Sequence, residues 1–180
     1  MSGHRSVPIR HTVIVSVAAA LALGVALPAV ADPTDATVEV TGGSLSISAP
    51  ADVGSLGTTA NTVEGTTISG ELGEVQVNDA RGAEAGSGWV ASVISTAFTP
   101  TAGPAIAASA VGYTVGSIGQ VGTATFTAND PADLTGASPA VTATGITGDN
   151  SATWNPTINV AVPGGMAAGV YSATITHSVV

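Results

Sequence analysis

The chain contains no cysteine among its 180 residues. No disulfide can staple it, no thiolate can act as nucleophile or metal ligand, and lipoprotein attachment, which needs a cysteine at the cleavage point, is closed. Lysine is also absent, since the three basic residues are Arg5, Arg10 and Arg81. Aromatic residues are scarce, with two Trp, two Tyr and two Phe. That is too few for the sugar platforms a glycosidase sets beside its paired acids. Three histidines are present, and only His177 lies beyond residue 31. Zinc chemistry therefore lacks ligands, and a serine triad would rest on His177 alone, with no Gly-x-Ser-x-Gly elbow in support. Beyond residue 31 no stretch places apolar residues at helical spacing over three turns.

The first segment reads as an export signal. Met1 to His11 is polar and carries Arg5 and Arg10. Thr12 to Leu27 is an unbroken run of apolar and small residues, and Pro28-Ala29-Val30-Ala31 supplies an A-x-A-type cleavage site. The three-part pattern predicts a secretory signal peptide over residues 1–31, and the apolar run is shorter than the roughly 20 residues a spanning helix prefers. Residues 32–36 read as a short linker and residues 37–180 as one domain. All twelve acids but only one arginine lie after residue 31, which leaves a formal charge of −11 on the exported part. Such a surface repels phosphate backbones and anionic head groups, so neither nucleic acid nor inserted membrane is an expected partner. No sortase-type Leu-Pro-x-Thr-Gly stands near the C-terminus, so covalent wall attachment is not expected. The expected location is secreted and extracellular, at the cell surface or cell wall.

What the chain does have is β-pattern. Thr37-Val38-Glu39-Val40 and Ser44-Leu45-Ser46-Ile47-Ser48 alternate polar with apolar around Gly42-Gly43, the period of half-buried strands. Further strands are predicted at Thr66–Ser69, Val111–Val115, Thr123–Thr127, Val141–Thr144, Thr157–Val162 and Val170–Thr176. Turn signals separate them, among them Asn129-Asp130-Pro131, Gly148-Asp149-Asn150 and Pro163-Gly164-Gly165. The most particular stretch is Val75 to Thr99. Its strand-like ends flank a loop with Gly82, Gly86 and Gly88, which predicts a hairpin with a long loop. That loop holds Arg81 between Asp79 and Glu84, and Trp89 opens the second run. Many short strands with regular turns predict an all-β chain folded as an antiparallel, immunoglobulin-like β-sandwich.

Candidate chemistry is thin. Glu71 with Glu74 and Asp130 with Asp133 are paired carboxylates, and solvated loop acids are the plain reading. Asn129 to Asp133 and Gly148 to Asn150 offer oxygen ligands to calcium, but neither follows the twelve-position EF-hand loop, and Asx residues make turns in any case. Trp89 and Trp154 read either as sandwich core anchors or as surfaces that stack on sugar. No catalytic residue, metal or cofactor is assigned, and an enzyme is not expected.

Val77-Asn78-Asp79-Ala80-Arg81-Gly82, followed by Gly88-Trp89-Val90-Ala91, resembles the first half of a WxL domain. In that family a short strand ends in Asp, then Arg-Gly, then Gly-Trp-x-Leu. Val162-Pro163 and Gly169-Val170-Tyr171 with the alternating run to Thr176 resemble its closing strand. Ala91 stands where the family has Leu, and His177-Ser178-Val179 stands where a second Trp-x-Leu would be. The resemblance spans nearly all of the exported part. It implies non-covalent attachment to the peptidoglycan, or another cell-wall glycan, of a Gram-positive bacterium and association with other surface proteins. The candidate ligand-binding residues that follow from it are Trp89, Asp79, Arg81, Tyr171 and His177. The rival expectation is a pilin-like or coat subunit that uses exposed strand edges and has no wall affinity.

Overall fold

Thr, Val, Ser and Gly leave the chain little option but strand and turn, and strands must pair. The structure, a computed structural model, describes residues 36–180. The ten strands are β1 (Leu45–Ser48), β2 (Thr66–Glu71), β3 (Val75–Ser95), β4 (Thr99–Pro100), β5 (Val111–Thr114), β6 (Ile118–Ala128), β7 (Ser138–Trp154), β8 (Thr157–Val162), β9 (Tyr171–Ser172) and β10 (Ile175–Val179). One short 3-10 turn, Ala108–Ala110, precedes β5. Among the described residues no helix is long and apolar enough to cross a membrane. The predicted signal peptide lies outside the described residues.

All pairing is antiparallel. The larger sheet runs β1-β3-β7-β6, with β10 beside β1 along the same edge of β3. β1 pairs with the first part of β3, from Leu45↔Asp79 to Ser48↔Gln76, and β10 with the last, from Ile175↔Ser95 to Val179↔Ala91. The smaller sheet runs β2-β8-β5, and β4 with β9 makes a two-stranded piece. The two main sheets pack face to face as a β-sandwich. Inward residues of the first (Val75, Val77, Trp89, Ala91, Val93, Val141, Ile146, Trp154) and of the second (Val111, Tyr113, Ile158, Val160) share one core. Burial at about 25 cal/mol per Å² of apolar surface drives this packing, with no disulfide to help.

Two expectations change. Val75 to Thr99 is not a hairpin. Its two halves run the same way as one 21-residue strand, both antiparallel to β7. The Gly-rich middle forms a bulge instead, because ten steps along β3 from Asp79 to Trp89 face only seven along β7 from Asn150 to Ala143. The surplus arches out of the ladder, as bulged strands do. Gly148-Asp149-Asn150 likewise lies within β7, opposite that arch, and is not an end turn. The second change is at Thr37 to Val40, which forms no strand. Val38 and Val40 are each 89% exposed, and nothing among the described residues pairs with them.

Candidate functional site

The β3 arch carries an ion pair whose carboxylate is buried. Asp79 occupies an inward position of β3 in phase with Val75 and Val77, and its side chain is 0% exposed. A carboxylate there must be paired. Arg81, two residues on, folds back so that Nε donates to Oδ1 at 2.8 Å and Nη2 to Oδ2 at 2.9 Å. Across the ladder, Asn150 Nδ2 donates to the same carboxylate at 3.1 Å, and Asn150 Oδ1 accepts Trp89 Nε1–H at 2.9 Å. Trp89 is itself 2% exposed, and its ring tilts against Phe126 of β6 at 5.8 Å between centroids. The Arg81 hydrogen bonds hold the Asp79 carboxyl below its ordinary range, more strongly than burial raises it. The same pairing raises Arg81.

Glycines make room for this cluster. A side chain at Gly42 would meet the Arg81 carbonyl oxygen, and Gly43 N–H donates to the Ala80 carbonyl. The Gly42-Gly43 pair is therefore a close backbone approach that braces the arch. Gly82 N–H donates to Asp149 Oδ1 at 2.9 Å and ties arch to β7.

A second polar group crosses the core farther along. Trp154 Nε1–H donates to Tyr113 Oη at 2.8 Å, and Tyr113 Oη lies 3.1 Å from His177 Nε2. The Tyr113 and His177 rings meet edge-on at 5.6 Å. Burial pushes the Tyr113 phenol well above its ordinary range and His177 below its own. His177 sits in β10 opposite Val93, and the strand is tied down to its end by Val90–Val180 hydrogen bonds in both directions.

His177 also lines a groove of about 880 Å³ on the flank of the sandwich. Its floor is apolar, with Leu72, Phe98, Ile106, Val160 and Met166. Its walls come from the irregular 49–62 crossing between β1 and β2 and from residues 166–175. Tyr171 stands on that wall, half-buried, with its hydroxyl donating to the Ala167 carbonyl at 2.8 Å. Among the lining residues Asp52 is the one carboxylate, and no Lys or Arg joins it.

Of the five candidate residues, Asp79, Arg81 and Trp89 are thus brought together as one cluster, with Asp79 and Trp89 buried and Arg81 at its exposed rim, and Tyr171 and His177 line the separate groove. Trp89 and Trp154 both take the core-anchor position, with their indole N–H groups bonded inside. Sequence reading took Asn150 for a turn residue and passed over the Tyr113 side chain. Both were legible by phase, since Asn150 precedes Ala152 and Trp154 at period two and Tyr113 lies between Val111 and Val115.

Of the paired acids, Asp130 and Asp133 serve the backbone, whereas Glu71 accepts from the Asn155 side chain. Asp130 Oδ1 accepts Val115 N–H at 2.7 Å, and Asp133 Oδ1 accepts both the N–H and hydroxyl of Thr135, which lowers its carboxyl. Among the described residues no group of three or more His, Asp or Glu is placed to hold a metal ion. No family model, curated protein or solved structure matches this chain.

Proposed function

We propose that this chain is a secreted, non-catalytic binding domain of WxL type that attaches non-covalently to cell-wall glycan, with the flank groove as the contact. The observation that carries the reading is the groove itself. It is large enough for a small-ligand site, has an apolar floor beside hydroxyl-bearing walls, holds Tyr171 and His177, and lacks cationic side chains. That lining suits the apolar faces and hydroxyls of an uncharged saccharide. The Asp79–Arg81–Asn150–Trp89 cluster supports the reading from inside, by fixing the strand whose end carries β10 and His177. The signal-like leader and the acidic, cysteine-free composition fit an extracellular setting.

The test is sedimentation of the purified protein with isolated peptidoglycan, beside Tyr171→Ala and with circular dichroism on both. Wild-type protein is expected to pellet and folded Tyr171→Ala to pellet less. Wild-type protein that stays in the supernatant refutes wall binding. A second reading, a subunit of a surface assembly, draws on one feature: β6 is an exposed 11-residue edge strand with Val121 66% exposed. It calls for concentration-dependent self-association in analytical ultracentrifugation, without wall affinity.

A further inference from the structure

The polar group that ends in His177 has a direction built into it. Trp154 Nε1 can only donate, so the Tyr113 oxygen accepts from it. The Tyr113 hydroxyl hydrogen then needs its own acceptor, because the residue is 1% exposed and an unpaired buried O–H costs about 1–3 kcal/mol. His177 Nε2, at 3.1 Å, is the acceptor in place. An imidazole that accepts at Nε2 carries its proton on Nδ1 when neutral. Among the described residues Nδ1 has no hydrogen bond, and no unpaired side-chain nitrogen or oxygen there is sealed from solvent. On the wall of the groove His177 is therefore a neutral ring with one oriented donor, fixed from the core outward.

We propose that the groove binds an uncharged N-acetylated oligosaccharide, with His177 Nδ1–H donating to an acetamido carbonyl oxygen. The proposal rests on the wall-glycan reading above and names the chemistry of its ligand. A fixed donor selects for a group that must accept. A carbonyl oxygen can only accept, whereas a sugar hydroxyl that accepts here must turn its own hydrogen to another partner. The same lining includes Phe98, Ile106 and Met166, apolar surface suited to an acetyl methyl. Phosphate and carboxylate ligands are disfavoured, because the lining holds a carboxylate, Asp52, and no Lys or Arg to offset it.

The test uses isotopically labelled full chain and two soluble probes, tri-N-acetylchitotriose and cellotriose, which differ in their acetamido groups. A long-range proton–nitrogen spectrum is expected to show His177 protonated on Nδ1. Chitotriose is expected to shift His177 and Tyr171 resonances, with cellotriose at least about tenfold weaker, since it lacks both the carbonyl acceptor and the apolar contact of the acetyl methyl. Folded His177→Phe should lose the preference for chitotriose. Should that variant fail to fold, the tautomer and the contrast between the two sugars on wild type decide alone. A proton on Nε2, equal binding of both sugars, or no shift with chitotriose overturns the proposal. So does binding of an acetylated tripeptide amide in place of chitotriose. If chitotriose fails while peptidoglycan still pellets the protein, this inference falls and the wall reading stands. If both fail, both fall.

Discussion

Arg81→Ala removes the charge partner of a carboxylate that has no access to water, and its cost should depend on pH in a defined direction. In the native chain Asp79 accepts from Arg81 Nε, Nη2 and backbone N–H and from Asn150. The substitution leaves the last two. Removing one partner of a fully buried ion pair costs about 3–5 kcal/mol. Arg81 is itself 38% exposed, so solvent already shares its side of the pair and the figure is discounted to about 2 kcal/mol. That is a large fraction of the roughly 5–15 kcal/mol that holds a domain together. The pH sign follows from the pairing. Native Asp79 has its carboxyl held below 3.8, so its contribution is fully present above about that pH and is lost as pH falls through the folded value. With the Arg81 side chain gone, only the residue-81 N–H and Asn150 oppose burial, and the carboxyl protonates more readily. The gap between wild type and variant should therefore be widest near neutrality and narrow on acidification. Urea unfolding of both proteins at neutral pH and at about pH 4 measures this. A gap under about 0.5 kcal/mol, or one unchanged by pH, refutes the claim that the cluster is a buried ion pair.

Three further predictions test the same frame. Gly122 has φ +85, and an added Cβ there would run into the Asp149 carbonyl and Asn150. Gly122→Ala should cost about 3 kcal/mol of stability, against about 1 for Gly145→Ala, where φ is +64 but the space is open; chemical denaturation of both variants compares them. Trp154→Phe keeps most of the packing yet strips Tyr113 of its N–H donor, so thermal unfolding should report a loss of about 1–2 kcal/mol together with altered His177 ring shifts. Burial holds His177 below its ordinary 6.5, so protonating it opposes folding. Stability should be flat above that value and begin to fall as pH drops below it, and His177→Phe should abolish this first step of a pH titration of unfolding free energy.

The β-sandwich was legible because period-two alternation and turn residues report on a half-buried strand directly. Thr157–Val162 matches β8 to the residue for that reason. The single arched strand over Val75 to Ser95 was not recoverable from local pattern, which gave a hairpin instead. Glycine and a change of pattern mark a strand-reversing turn and an arched bulge alike, and only the partner strand distinguishes them. Thr37 to Val40 shows the complementary limit: alternation makes a segment competent to pair but does not supply the edge. For the site, Asp79, Arg81 and Trp89 were marked by their rarity, yet rarity does not say whether a polar group faces water or core. Phase does. Asp79 shares the face of Val75 and Val77, and that placement already implied a buried, internally paired acid.

This burial changes what a tryptophan substitution can reveal. The ring of Trp89 is enclosed, its N–H bonded to Asn150, so it offers no open face for a sugar to stack on. Yet β3 pairs with β1, which leads into the 49–62 wall of the groove, and with β10, which holds His177. Anything that loosens the arch at Trp89 is transmitted to both walls through those ladders. Trp89→Ala would remove a large buried side chain at a cost of about 3–5 kcal/mol, and lost wall binding in that variant would report on the frame, not on contact with the ligand. Only substitutions at the groove surface, Tyr171→Ala with the fold intact and His177→Phe with the tautomer known, separate the two. If both retain full wall binding, the groove is not the contact, whatever happens at Trp89.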